Sequence, residues 1–142
     1  EAHTHNRRIF LYQPHRLTSE TQTVREIIDS NLLGPIYSIR RAASRYRRRN
    51  DWQSLRKNGG GMLNNYGAHY IDQLLYLSDG SGVADIYCNL WAIATVGDAD
   101  DVVKTWLKTK LPNLPFASLN SFLFTMLPWL PHSHNLFKIW TV

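Results

Sequence analysis

The chain has 142 residues, enough for one domain with its own core, and a hydrophobic share of 44% places it among globular proteins, not disordered ones. Its single cysteine, Cys88, excludes an internal disulfide, and neither a CxxC pair nor a Cys/His cluster at zinc-finger spacing is present. The net charge of +5 is local, held by Arg40, Arg41, Arg45, Arg47, Arg48 and Arg49, with the remainder near neutral.

The opening EAHTHNRRIF lacks a basic stretch followed by an apolar one, so it does not read as a secretory signal, and a lone thiol fits a reducing cytoplasm. Residues 9–13 (IFLYQ) predict a short buried strand ended by Pro14. A helix follows. Ser19 with Gln22 three residues on resembles a capping box, Val24, Ile27, Ile28 and Leu32 repeat at helical spacing, and Gly34 stands at the stop position.

Pro35 opens an extended segment, PIYSIRRAASRYRRR, in which Tyr37 and Ile39 alternate against Ile36 and Ser38, a strand pattern. Its arginines fit either a phosphate-binding patch or a solvated strand edge, and the edge is the favoured reading. Residues 50–58 (NDWQSLRKN) predict a loop or single helical turn anchored by Trp52 and Leu55. It leads into Gly59, Gly60 and Gly61. From 62 to 77 the pattern is strongly helical, closed by the turn residues Asp79, Gly80, Ser81 and Gly82. Residues 84–95 alternate Ile86, Cys88, Leu90 and Ala92 against other residues, 101–109 do so more weakly, and VGDAD joins them as a hairpin.

From 111 onward Lys138 is the one formal charge, and Pro112, Pro115, Pro128 and Pro131 interrupt any helix or central strand. Such an apolar run, broken also by Asn113, Asn120 and Ser121, is a poor membrane span. Strand, helix, strand, helix and hairpin in that order predict an α+β fold: a partial, open, mainly antiparallel sheet with helices on one face.

The stretch 59–72, GGGMLNNYGAHYID, holds the candidate site. At about 100° per residue, Asn65, His69 and Asp72 share one helix face. Glycine lets a ligand approach the backbone, and the N–H groups of the first helical turn favour an oxygen-rich ligand such as a sugar or polyol. Histidine is the side chain whose charge change lies near neutrality, so His69 could move a substrate proton, and Asp72 could fix its tautomer. The plainer alternative is that His69 hydrogen-bonds within the fold while Asp72 pairs with an arginine. A shared metal ion on His69 and Asp72 lacks a third ligand. His3, His5, His132 and His134 lie near the chain ends and carry little weight.

YQPHR, LLGPIYSI, the DW of NDWQSL, GGGMLNNYGAHYIDQLLYL and GDADD, in that order and spacing, resemble the C-terminal domain of the Gfo/Idh/MocA family of NAD(P)-dependent oxidoreductases. The resemblance covers Tyr12 to Lys104. It implies His69 as the catalytic histidine, with Asn65, Asp72, Gly60, Gly61 and Tyr66 on the substrate side. Asn65 stands where the family usually has Asp, and an amide cannot serve as a base. The family's nucleotide-binding domain, with its glycine-rich turn and Glu-Lys-Pro lysine, has no counterpart in these residues, so NAD or NADP is implied for the family and no cofactor site for this chain.

The expected division is therefore a remnant of a nucleotide-binding domain's last strand over 1–14, a partial substrate and oligomerisation domain over 15–110, and an atypical tail over 111–142. The tail is read as disordered or out of frame, because HNLFKIWTV, back-translated and shifted by one base, can give a KYG stretch expected later in the family. The functional expectation is the substrate domain of a sugar or polyol dehydrogenase, inactive alone. The alternative is a non-enzymatic module that pairs with a partner or forms a homo-oligomer through its sheet. Membrane and nucleic-acid partners are disfavoured.

Overall fold

In a computed structural model, the described residues are 1–44, 48–110, 116–122 and 134–141. A 3-10 turn, Pro14–Leu17, leads into helix α1 (Ser19–Asp29), strand β1 (Ile36–Ser44), two further 3-10 turns (Trp52–Ser54 and Arg56–Asn58), a π-helical turn (Leu63–Gly67) and helix α2 (Ala68–Leu77). Strands β2 (Val83–Trp91), β3 (Val102–Thr109), β4 (Phe116–Phe122) and β5 (His134–Thr141) complete it. They form one sheet in the order β2-β3-β4-β1-β5, parallel only between β1 and β4. The expected α+β architecture with a mainly antiparallel sheet is the one observed.

The core lies where the helices cross the sheet. Ile39 of β1, Tyr70, Leu74 and Leu77 of α2, and Val103 and Leu107 of β3 form the buried cluster, with Val24 and Ile28 of α1 packed against it. These positions keep the helical and strand periods that their side chains require to share one interior.

Several local expectations change. Residues 9–13 are not a buried strand. Ile9, Phe10, Leu11 and Tyr12 are exposed, because no described strand lies alongside to pair their backbone. The α1 N-cap is Thr18, not Ser19, and no side-chain capping bond forms there. Gln22 instead donates to the Arg16 carbonyl. The helix ends at Asp29, short of Gly34, so Leu32 falls beyond it and is exposed.

Arg40 and Arg41 of the run do not lie on a sheet edge. β1 has β4 on one side and β5 on the other, and Arg41 is 3% exposed, paired with Glu20 at 3.1 Å and lying 5.0 Å over the Tyr70 ring. Arg49 pairs with Asp51. Arg45 and Arg47 are outside the described residues.

Ile86, Cys88 and Leu90 share a face with the buried Leu107, Thr105 and Val103 opposite them. They are nevertheless exposed, since the helices pack chiefly over β1 and β4 and leave the edge strand β2 uncovered. In the expected atypical tail, β4 and β5 flank β1, so its described residues are strand rather than disorder. Pro112, Pro115, Pro128 and Pro131 lie outside the described residues. The other residues of the tail lie outside the described ones.

Candidate functional site

The loop 50–61 is folded onto the GDADD segment. Asp51 accepts from the Gln53 N–H and starts the 3-10 turn Trp52–Ser54, Ala99 N–H donates to the Ser54 carbonyl, and Arg56 N–H donates to the Asp98 carboxylate. Gly60 and Gly61 N–H groups donate to Leu55 and Gln53 carbonyls at 3.0 and 2.9 Å. A side chain at Gly60 would overlap those same two carbonyls, and Gly61, at φ +113°, faces the Asp100 carboxylate. The close approach that the glycines permit is therefore to the protein's own chain.

The helix start behind them is occupied too. The Met62 N–H donates to the Asp100 carbonyl at 2.8 Å, and the Leu63 N–H donates to its carboxylate at 2.9 Å. Asp100 thus caps the helix from 37 residues away and neutralises its positive end. The expectation of free first-turn N–H groups awaiting an oxygen-rich ligand is corrected accordingly. GDADD is more than a hairpin turn. The buried Asp101 next to Asp100 accepts from the Ile93, Ala94 and Thr95 N–H groups, fixing the stretch between β2 and β3.

Through Leu63–Gly67 the chain is π-helical, so the 100° step that aligned Asn65 with His69 and Asp72 does not hold across this turn. The three side chains meet different partners. Asn65 donates to Gln53 Oε1 at 2.8 Å, toward the loop. His69 and Asp72 face the turn Pro14–Leu17. His69 Nδ1 lies 2.7 Å from Gln13 Oε1, and both Asp72 oxygens accept from Arg16, with Nε at 2.6 Å. Asp72 thus pairs with an arginine, and the bond that orients His69 comes from Gln13, as in the plainer of the two expectations. The Asp72 bond holds the Arg16 pKa above the ordinary value. Tyr66 stacks near Tyr70, 6.1 Å between ring centres.

Sequence reasoning passed over His15. Its ring stacks on that of His69, 4.2 Å between centroids and 27° between planes. Burial, then the neighbouring His69, then Arg41 lower its pKa from 6.5. The PHR triplet of YQPHR is the only local signal, and it does not show that the side chain turns back onto a helix more than fifty residues later. Among the described residues, no three His, Cys, Asp or Glu side chains gather where they could share a metal ion, and no helix is long and apolar enough to cross a membrane.

Residues 21–111 match the GFO/IDH/MocA C-terminal domain, well over half of the chain. The chain belongs to the GFO/IDH/MocA family. The sheet and helices agree with that assignment. GenD2 from gentamicin A biosynthesis, solved in complex with NAD, is similar at a TM-score of 0.79 and 14% identity, over 97% of this chain and 38% of its own. An NAD-binding protein from Listeria innocua is similar at 0.78 and 24% identity, over 94% and 37%. The WlbA dehydrogenase from Bordetella pertussis, in complex with NADH and UDP-GlcNAcA, is similar at 0.74 and 22% identity, over 97% and 41%. At these identities the likeness is one of fold. The chain spans about two fifths of the length of each. No curated protein matches the sequence.

Proposed function

We propose that this chain is the substrate-facing part of an NAD(P)-dependent oxidoreductase acting on a sugar or polyol, with His69 accepting a proton from a substrate hydroxyl. The observation that carries the reading is the state of the His69 ring. One nitrogen is held at 2.7 Å by Gln13, one face is covered by His15, and among the described residues no hydrogen bond engages Nε2. A half-buried imidazole with one committed and one available nitrogen is equipped for proton transfer. Asn65 and Tyr66, on the turn before it, supply groups that hydrogen-bond hydroxyls, while Asp72 holds the Pro14–Leu17 turn through Arg16.

The described residues do not fit a dinucleotide. The Gly60, Gly61, Met62 and Leu63 N–H groups, the kind of donors that cradle a pyrophosphate, are already bonded to Leu55, Gln53 and Asp100. With those donors committed, this chain alone is expected not to turn substrate over. The unpaired Cys88 favours a reducing compartment, the cytoplasm.

Calorimetric titration with NAD and NADP is expected to show no binding, while a sugar and polyol panel shifts the His69 and Asn65 side-chain resonances. Tight dinucleotide binding by this chain, or a panel that leaves both resonances unmoved, would overturn the proposal.

On the sheet face away from the core, Tyr87 and Trp106 pair across β2 and β3, 60% and 41% exposed, with Trp91 further along. Contiguous exposed aromatic surface of this kind is suited to association between copies of the chain.

A further inference from the structure

We infer that Gln13 is a positioning residue for His69, its amide oxygen holding the Nδ1 proton and leaving Nε2 as the proton-accepting nitrogen. The inference rests on the reading of His69 as the proton-transfer group. An amide oxygen only accepts hydrogen bonds, so the ring nitrogen 2.7 Å from Gln13 Oε1 must be the donor. In a neutral imidazole the other nitrogen then carries the lone pair. A carboxylate in this place would fix the same tautomer but put a negative charge against the ring. Gln13 sets the tautomer without adding charge.

The group that supplies the amide is itself held. Gln13 precedes Pro14, which starts the 3-10 turn with a restricted φ. The His15 carbonyl at the centre of that turn accepts from Thr18 Oγ1, Thr21 Oγ1 and Gln73 Nε2, each at 3.0 Å. Thr21 and Gln73 are buried and bonded to each other at 2.7 Å. Arg16 closes the turn onto α2 through Asp72. The His69 imidazole is consequently gripped at one edge by Gln13 and on one face by His15, which limits its rotation about both side-chain bonds. Such support from outside the reacting group fixes which ring nitrogen faces the substrate.

The test is long-range proton–nitrogen NMR of the imidazoles in the full 142-residue chain at pH 8. In the wild type, His69 is expected to be in the Nδ1-protonated form at a ratio of about tenfold or more. Gln13→Leu moves the population toward the Nε2-protonated form, and Gln13→Glu, whose carboxylate also accepts, restores the wild-type tautomer. A wild-type His69 found in the Nε2-protonated form overturns the inference, and that measurement decides even if the Leu variant fails to fold. A folded Gln13→Leu variant with the wild-type tautomer overturns it too. Failure of the substrate reading looks different: the tautomer stays as expected while the sugar and polyol panel leaves the His69 signals unmoved.

Discussion

Replacing Asp100 with Ala removes the carboxylate that accepts the Leu63 N–H at 2.9 Å, while the Asp100 carbonyl bond to Met62 remains. Loss of a helix-capping side chain costs about 0.5–2 kcal/mol, and loss of a negative charge at a helix N-terminus adds about 0.3–1 kcal/mol. The combined penalty is about 1–3 kcal/mol. For a chain of this length each kcal/mol moves Tm by about 4 °C, so a fall of about 4–12 °C is expected in calorimetry. Asp100→Asn keeps an oxygen that can accept and loses only the charge, so it should give up no more than about 1 kcal/mol. Hydrogen exchange should locate the damage, with the Leu63 amide deprotected in Asp100→Ala and less so in Asp100→Asn. Equal Tm values for the two variants, or Asp100→Ala within about 1 °C of wild type, would refute the assignment of Asp100 as the cap.

Gly60→Ala drives a methyl group into the Gln53 and Leu55 carbonyls and should destabilise by about 1–3 kcal/mol in urea unfolding; an unchanged midpoint would show that the loop is not packed as described. Because burial, His69 and Arg41 hold the His15 pKa below 6.5, the unfolded chain binds the proton more readily. Its contribution to stability is thus intact above that value and lost as pH falls from it toward the lowered folded pKa; urea midpoints between pH 7.5 and 5 should drop less in His15→Phe than in wild type. Leu74→Ala in the core, where Leu74 is fully buried, should cost about 2–5 kcal/mol by the same method. If copies associate through the aromatic sheet face, Trp106→Glu lowers the molar mass seen by light scattering while leaving the far-UV spectrum unchanged, and an unaltered mass would dismiss that surface.

Much of this arrangement could be read along the chain. The strand from Ile36, the two strands on either side of GDADD and the helix over 62–77 follow from periodicities carried by neighbouring residues, though the helix is π-helical over Leu63–Gly67 before α2 begins at Ala68. The order of YQPHR, GGG, GAHYID and GDADD pointed to the family that the chain proves to belong to. Asn65, His69 and Asp72 were identifiable as polar residues of that helix.

The chemical partners of those residues were not readable, because a polar group's partner is set by contacts far apart in sequence. Asp100 looked like a turn residue and became the helix cap, 37 positions from the N–H it accepts. Arg41 looked like surface charge, but β4 and β5 close on either side of its strand and Glu20 reaches it from α1. For Asp72 the sequence left open the tautomer of His69 or an arginine, and the structure pairs it with Arg16 while Gln13 takes the ring nitrogen. Residues 9–13 have the side chains of a buried strand and stand exposed, since burial depends on a neighbouring strand and not on side-chain type. Local elements and the residues able to carry proton chemistry follow from neighbours along the chain. Which of those residues are already satisfied follows from contacts between elements, because each hydrogen bond made within the fold removes a donor or acceptor from the set left for a ligand.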